Sequence, residues 1–249
     1  MPTRLTPGAG THSRGRCGIG TEVLALDLRG HGETSWSTEY SPELLVEDIA
    51  AFTAALGLEQ FTLVGFSIGA HSAYQYAARH PAAVERLILV EVNPQSGSAS
   101  VAWLRSWLDQ PDSLDEPEDA VRSVRAFDPR ATDEELRHWV LNNLRQRNDG
   151  CWTWRYDPVL RSASPPNLKP DAIEIRRDLG TIACPTLLVH GAESEMSSRE
   201  EAEQTVRLIP GGRLVHIEGA GHWVPMDHPA GFLATVEDFL DGTRLTGRS

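Results

Sequence analysis

The sequence lacks the features of membrane, disulfide-rich and nucleic-acid-binding proteins. No apolar run reaches the roughly 18 residues of a membrane span, and no apolar segment follows Met1, so neither a transmembrane helix nor a secretory signal is predicted. Its three cysteines, Cys17, Cys151 and Cys184, are far apart and form no C-x-x-C pair, which argues against a disulfide framework or a zinc site. The net charge of −12 disfavours nucleic acid and anionic membranes as partners. We therefore expect a cytoplasmic protein.

What the sequence does contain is an alternation of short apolar runs and helical stretches. Runs rich in valine, leucine and isoleucine predict strands at 22–27, 61–64, 86–92, 186–190 and 213–217. Several of these runs are continuous rather than alternating, as in parallel strands that are covered on both faces. Helical stretches lie between them, and the first begins at Ser41-Pro42, a capping residue followed by proline. The 249 residues therefore predict one α/β fold, with a mostly parallel sheet flanked by helices.

A G-x-S-x-G motif follows the second of these strands. It reads Gly65-Phe66-Ser67-Ile68-Gly69, and residues 70–79 after it have a helix-forming composition. A sharp strand-to-helix turn exposes a serine hydroxyl to a base, and we expect a side chain at Gly65 or Gly69 to collide with neighbouring backbone. Ser67 is therefore the candidate nucleophile. The alternative, an ordinary glycine-rich turn, stays open until a base is identified.

A base for this serine is predicted near the end of the chain. His222 lies in Gly219-Ala220-Gly221-His222-Trp223, a glycine-rich loop just after the apolar run 213–217. A histidine on a loop beyond one strand end can reach a serine at another strand end, as a general base must. Among the nine histidines only His222 combines a strand-end setting, a glycine-rich loop and a late position in the chain. His222 is therefore the candidate base.

Together these motifs resemble those of the α/β-hydrolase superfamily. The resemblance runs from about Glu22 to Leu240 and rests on four segments: Leu26-Asp27-Leu28-Arg29-Gly30-His31-Gly32, Gly65-Phe66-Ser67-Ile68-Gly69, Pro185-Thr186-Leu187-Leu188-Val189-His190-Gly191 and Gly219-Ala220-Gly221-His222. The order of nucleophile, acid and histidine along the chain agrees as well. The resemblance implies an α/β-hydrolase-like fold with a catalytic triad, and it implies no metal and no organic cofactor.

The acid of this triad has two candidates. The superfamily usually has an aspartate a few residues beyond a glycine after its seventh strand, and here Ser194 of Gly191-Ala192-Glu193-Ser194-Glu195 takes that position. The other candidate is Glu91, which closes the sixth family strand, where a carboxylate is costly unless it has a buried partner. That arrangement resembles small esterases and lactone hydrolases, including the zearalenone-lactone hydrolases. We favour Glu91 and keep Glu195 as the alternative acid.

Strand signals stop between about Gln95 and Leu179, and helical patterns replace them. Helices are predicted at 101–108, 117–127 and 132–147, and five of the seven tryptophans lie in this region: Trp103, Trp107, Trp139, Trp152 and Trp154. The superfamily inserts a cap over its nucleophile at this place. We therefore predict a core of residues 1–94 and 180–249 and a helical cap of residues 95–179. The tryptophans indicate an apolar or aromatic acyl substrate, unless they only attach the cap to the core.

The first 20 or so residues depart from the superfamily pattern. Relatives open with a strand hairpin and a central strand ending in His-Gly, whose loop donates one amide to the oxyanion hole. Here only residues 3–10 could replace that strand and loop, and the spacing to Glu22 is short for a parallel crossover. We therefore expect a truncated or altered amino-terminal part. The Ile68 amide is the expected first oxyanion donor, and Ala9 is the candidate for the second.

The resemblance implies a serine hydrolase that cleaves a carboxylic ester or lactone through an acyl-enzyme intermediate. Ser67 would attack the carbonyl, His222 would take and return the proton, and Glu91 would orient His222. Two alternatives stay open. One is hydrolysis of a carbon–carbon bond in a diketone or meta-cleavage product with the same triad. The other is a catalytically impaired or receptor-like binding protein. In each case the expected partner is a small molecule, with neither nucleic acid nor a membrane involved.

Overall fold

The computed structural model describes residues 12–16, 22–93, 98–109, 111–162 and 164–245. The strands are β1 (His12–Arg16), β2 (Glu22–Leu26), β3 (Phe61–Phe66), β4 (Val84–Val90), β5 (Leu144–Gln146), β6 (Trp152–Trp154), β7 (Thr186–Gly191) and β8 (Arg213–Ile217). The helices are α1 (Pro42–Ala55), α2 (Ile68–Arg79), α3 (Ser98–Leu108), α4 (Pro117–Phe127), α5 (Asp133–Asn142), α6 (Ala172–Gly180), α7 (Arg199–Arg207), α8 (Val224–Asp227) and α9 (Pro229–Leu245). None of the helices in these residues is both long and apolar enough to cross a membrane.

The main sheet has four parallel strands in the order β3-β4-β7-β8. Successive side chains of β4 enter two different apolar clusters, because alternate residues of a strand point to opposite faces. Leu87 and Leu89 pack with α1, α2 and α6, whereas Ile88 and Val90 pack with α8 and α9. All four strands run the same way, so the loops that follow their carboxyl ends meet at one edge of the sheet.

Strands β1 and β2 form a separate antiparallel pair in which His12 lies opposite Leu26 and Arg16 lies opposite Glu22. The strand predicted at 22–27 is therefore present as β2, and within the described residues it pairs only with β1. The expectations for residues 1–11, including residues 3–10 as a replacement strand, lie outside the described residues. Within the described sheet β3 is an edge strand, and its Val64 is 51% exposed.

Between β4 and α6 the chain builds a third apolar cluster. It contains side chains of α4, α5, β5 and β6 together with Met226 of α8. The predicted helix 132–147 is wrong in its second part, because α5 ends at Asn142 and residues 144–146 form β5. The physical reason is tertiary packing, since Leu144 pairs across the hairpin with Trp154 and both side chains are buried.

The predicted division into core and cap stays a prediction, and one helix bears on its second boundary. Ile175 and Leu179 of α6 are fully buried in the cluster that also contains α2 and Leu87 of β4. Helix α6 therefore packs with the core, although the prediction assigned residues up to 179 to the cap. This packing favours a boundary before α6 rather than after it.

Candidate active site

Ser67 lies in a strained turn between β3 and α2. Its φ of 52° and ψ of −116° are outside the regions that residues with side chains usually adopt. The turn brings strand and helix so close that a Cβ added at Gly65 would lie 2.4 Å from the carbonyl oxygen of Gly69. The expected collision at Gly69 itself is wrong, because an added Cβ there meets no described heavy atom within 4 Å. Only Gly65 is required by the turn.

A chain of hydrogen bonds joins Ser67, His222 and Glu91. His222 Nε2 lies 3.2 Å from Ser67 Oγ, and His222 Nδ1 lies 3.0 Å from Glu91 Oε2. Because a carboxylate only accepts, Nδ1–H donates to Glu91, and Nε2 is left to accept the hydroxyl proton of Ser67. His222 reaches this position from the loop after β8, while Ser67 and Glu91 follow β3 and β4. The three residues predicted from the sequence therefore lie together.

Glu91 is a buried carboxylate with three hydrogen-bond donors. Besides His222, the backbone N–H of Gly191 donates to Oε1 at 2.7 Å and the hydroxyl of Ser194 donates to Oε2 at 2.6 Å. These donors compensate the loss of water around a residue that is only 4% exposed. Glu91 has a φ of 54°, and it and Ser67 are the two non-glycine residues of the described chain with positive φ. Backbone strain of this kind concentrates at functional sites.

Glu195, the alternative acid, contacts the same loop from its backbone side. Its Oε2 accepts the backbone N–H of His222 at 3.3 Å, and its Oε1 accepts from Arg130 Nη1 at 2.7 Å. It makes no described hydrogen bond with the imidazole ring. The geometry therefore favours Glu91 as the orienting acid.

The expected oxyanion donors are only partly within the described residues. Ile68 is the first residue of α2, where backbone N–H groups have no partner inside the helix and lie at the positive end of its dipole. Its amide follows directly after Ser67, as an oxyanion donor must. Ala9, the candidate for the second amide, lies outside the described residues.

Aromatic rings surround the imidazole of His222. The ring centroids of Phe66, Trp103 and Trp223 lie 5.1, 5.4 and 5.9 Å from that of His222. Four further rings extend this group through direct ring contacts: Trp107, Phe127, Trp139 and Trp154. His222 is 5% exposed as a result. A dry environment strengthens the hydrogen bonds of the imidazole.

Other histidines in the interior of the described chain contact groups outside the candidate triad. His71 Nδ1 lies 3.2 Å from the hydroxyl of Tyr74, and burial lowers the pKa of His71 to about 3, so it stays neutral. His190 and His216 face each other with 3.0 Å between their Nδ1 atoms. No group of three or more side chains within the described ranges has the composition and proximity to hold a metal ion.

Several residues around the site were not predicted. Ser194 was noted only as a departure from the superfamily pattern, whereas in the structure it donates to Glu91. Arg130, Asp128 and Asp227 also lie around the His222 loop. Burial raises the pKa of Asp227 to about 7, and a hydrogen bond with Asp128 and the negative charge of Asp128 add to this effect. The position of Ser194 in the superfamily motif could have indicated its role. The sequence contains no comparable signal for Arg130, Asp128 or Asp227.

Comparisons with known proteins identify the family of this chain. The family model described as alpha/beta hydrolase fold matches residues 12–229. Esterase Rv0045c of Mycobacterium tuberculosis is 30% identical over 237 residues, which are 90% of this chain and 76% of that protein. N-formylmaleamate deformylase of Pseudomonas putida is 31% identical over 229 residues, or 91% of this chain and 81% of that protein. A crystal structure of the same mycobacterial esterase superposes with a TM-score of 0.78 at 26% identity, covering 97% of this chain and 91% of the other. The chain therefore belongs to the α/β-hydrolase fold family, whose members similar to it include esterases.

Proposed function

We propose that this protein is a serine hydrolase that cleaves a carboxylic ester or lactone through an acyl-enzyme intermediate. The observation that carries the proposal is the continuous hydrogen-bond chain from Ser67 through His222 to the buried Glu91. The left-handed backbone of Ser67 supports it, because that strain holds the hydroxyl at the end of β3. The similarity to an esterase supports the choice of ester substrates.

The proposed reaction has two halves. In the first, Ser67 Oγ attacks the substrate carbonyl while His222 Nε2 takes its proton, and Glu91 stabilises the imidazolium that forms. The Ile68 amide donates to the developing oxyanion, and collapse of the tetrahedral intermediate releases the alcohol after His222 returns the proton. In the second half, water replaces the alcohol and the same residues release the acid.

We also propose that residues 95–179, or the part of them before α6, form a cap that selects apolar or aromatic acyl groups. Trp103 of α3 supports this, since its ring meets the edge of the His222 imidazole. Arg161 is unsuited to bind a substrate carboxylate, because its side chain is 3% exposed and its guanidinium donates to the carbonyl oxygens of Leu108 and Trp107.

The test of this function is hydrolysis of short and aromatic p-nitrophenyl esters by the wild type and by Ser67→Ala. We expect Ser67→Ala to lower kcat by about 10³-fold or more, because the nucleophile is lost while binding is kept. A fluorophosphonate probe should label the wild type and leave Ser67→Ala unlabelled. Ser164→Ala is the matched control, since Ser164 is exposed and makes no described hydrogen bond with Ser67, His222 or Glu91. Undiminished hydrolysis by folded Ser67→Ala would end the proposal.

The substrate panel also separates the alternatives. A diketone tests carbon–carbon bond hydrolysis by the same triad, and an N-formyl amide is included because one relative is named a deformylase. Faster turnover of either compound than of every ester would move the function to that class. Binding of esters without turnover or labelling would support a receptor-like protein instead.

A further inference from the structure

Arg130 connects three segments around the loop that carries His222. It lies between α4 and α5, and its Nη1 donates to Glu195 Oε1 at 2.7 Å. Its Nε donates to Glu193 Oε2 at 3.3 Å, and its Nη2 donates to the backbone carbonyl of Glu193 at 3.2 Å. The guanidinium is therefore fixed by three acceptor oxygens on the β7–α7 connection. The side chains of Arg130 and Glu195 are 22% and 27% exposed, so water screens this pair less than it screens surface ion pairs.

The same guanidinium lies directly against Gly221, the neighbour of His222. A Cβ added at Gly221 would lie 2.6 Å from Arg130 Nη1 and 2.9 Å from Cζ. It would also lie 3.0 Å from Glu195 Oε2. Glycine at this position is what allows the close approach of Arg130 and Glu195 to the backbone.

Two carboxylates accept backbone N–H groups of the loop that contains Gly221 and His222. Glu195 Oε2 accepts the N–H of His222 at 3.3 Å, and Asp227 Oδ2 accepts the N–H of Gly221 at 2.7 Å. Asp128 lies close enough to Asp227 to help raise its pKa, and Asp128 Oδ1 accepts the backbone N–H of Arg130 at 3.1 Å. Two successive N–H groups of the loop are thus held by carboxylates that Arg130 or its own segment organises.

We propose that Arg130 is a positioning residue, which fixes the backbone of Gly221 and His222 and thereby the imidazole between Ser67 and Glu91. This inference rests on the proposed function, because it assigns to Arg130 the placement of the general base. Arg130 touches neither the substrate nor the reacting atoms. It acts through Glu195 and through its contact with Gly221, and a displacement of about 1 Å at a reacting group can lower a rate by about 10²-fold.

Loss of Arg130 has two consequences that a purely structural role does not predict. The first is a lower kcat with little change in KM, since the base is displaced while the acyl pocket is kept. The second is electrostatic. Without the guanidinium, the negative charge of Glu195 beside His222 is no longer balanced by Arg130, and it favours the imidazolium over the neutral ring. The acidic limb of the pH profile of kcat/KM should therefore move to higher pH.

The experiment compares Arg130→Gln and Arg130→Lys with Arg137→Gln. Arg137 is a matched control, because it also lies in the α4–α5 region and pairs with Glu118 at the surface. We expect Arg130→Gln to lower kcat about 10- to 100-fold, with KM within about threefold of the wild type and the acidic limb shifted upward. Arg130→Lys should recover part of the loss, since lysine keeps the charge but not the planar fork.

Arg130→Gln leaves the carboxylate of Glu195 without its partner, which could destabilise the fold. The double variant Arg130→Gln/Glu195→Gln removes that carboxylate and so separates a loss of positioning from a folding defect. If the two residues act as one unit, the double variant should have nearly the kcat of Arg130→Gln rather than the product of two losses. The positioning role is refuted if folded Arg130→Gln matches Arg137→Gln in kcat and pH profile while hydrolysis still depends on Ser67. If Arg130→Gln does not fold, the double variant takes its place in this comparison. If hydrolysis does not depend on Ser67, the proposed function fails first and the inference fails with it.

Discussion

At the scale of single residues, the unusual feature is a charged carboxylate in the interior. Glu91 is 4% exposed and is held by Gly191, Ser194 and His222. Each of these donors stabilises the ionised form, and together they offset the desolvation that would otherwise expel the charge from the core. The interior can therefore accommodate the carboxyl group of Glu91 beside His222.

Replacement of Glu91 by glutamine should lower kcat strongly, whereas the same change at Glu195 should lower kcat much less. The amide has the size of the carboxyl group but carries hydrogens, so it can turn its NH₂ toward His222 and favour the wrong tautomer. We expect Glu91→Gln to lower kcat by about 10³- to 10⁴-fold and Glu195→Gln by about tenfold or less. Steady-state hydrolysis of one p-nitrophenyl ester by both variants measures this. The opposite ranking would make Glu195 the acid.

Part of the candidate site could be predicted from the sequence alone. Ser67 and His222 were predicted because each has a local signal, a glycine-rich turn at a strand end. The choice between Glu91 and Glu195 had no such signal. It depends on the contact between the Glu91 carboxylate and the imidazole of His222, which lies 131 residues further along the chain. A contact between distant segments has no periodicity or motif to reveal it.

At the scale of elements, the turn from β3 to α2 depends on one of its two glycines. Gly65→Ala places a Cβ 2.4 Å from the carbonyl oxygen of Gly69 and should displace α2 from β3. Gly69→Ala has open space and replaces a helical glycine, which should raise stability by up to about 1 kcal/mol.

We therefore expect Gly65→Ala to lose activity and to have a lower melting temperature, whereas Gly69→Ala keeps its folded structure and has an equal or higher melting temperature. Thermal unfolding followed by circular dichroism, together with ester hydrolysis, tests the pair. Because both changes add the same methyl group, each serves as the control for the other. Equal losses in the two variants would show that the turn tolerates neither side chain, as the sequence had suggested.

The elements that sequence reasoning misplaced are those fixed by tertiary contacts. The helix predicted at 132–147 has the right start, because Thr132 and Glu135 form a capping box that is visible in the sequence. Its end was wrong, because Leu144 is buried against Trp154 across a short hairpin. The four strands of the main sheet were predicted correctly in place, since continuous apolar runs are a local property.

At the scale of the whole molecule, one carboxyl group makes stability depend on pH. The pKa of Asp227 is raised to about 7 by burial and by Asp128, whereas an unfolded aspartate titrates near pH 4. Between these values the folded state holds a proton that the unfolded chain releases. The free energy of unfolding therefore falls as the pH rises through this window, and the loss is complete above it.

Asp227→Asn should remove this dependence, because the amide cannot ionise and its oxygen can still accept the N–H of Gly221. We expect the variant and the wild type to melt alike near pH 4. The advantage of the variant should grow up to about pH 7 and stay constant at higher pH. Asp238→Asn on α9 is the control, since this side chain is 76% exposed. A difference in melting temperature that does not change with pH would contradict the prediction.

The placement of Glu91 also decides how the catalytic groups are distributed along the polypeptide. Ser67 and Glu91 belong to one β3-α2-β4 unit, whereas His222 comes from the far end of the chain. A cut at the Asp149-Gly150 turn of the β5–β6 hairpin would place nucleophile and acid on one fragment and base on the other. Neither fragment would hold a complete triad. Under the proposed function, turnover of an ester by the mixed fragments would then report their reassociation.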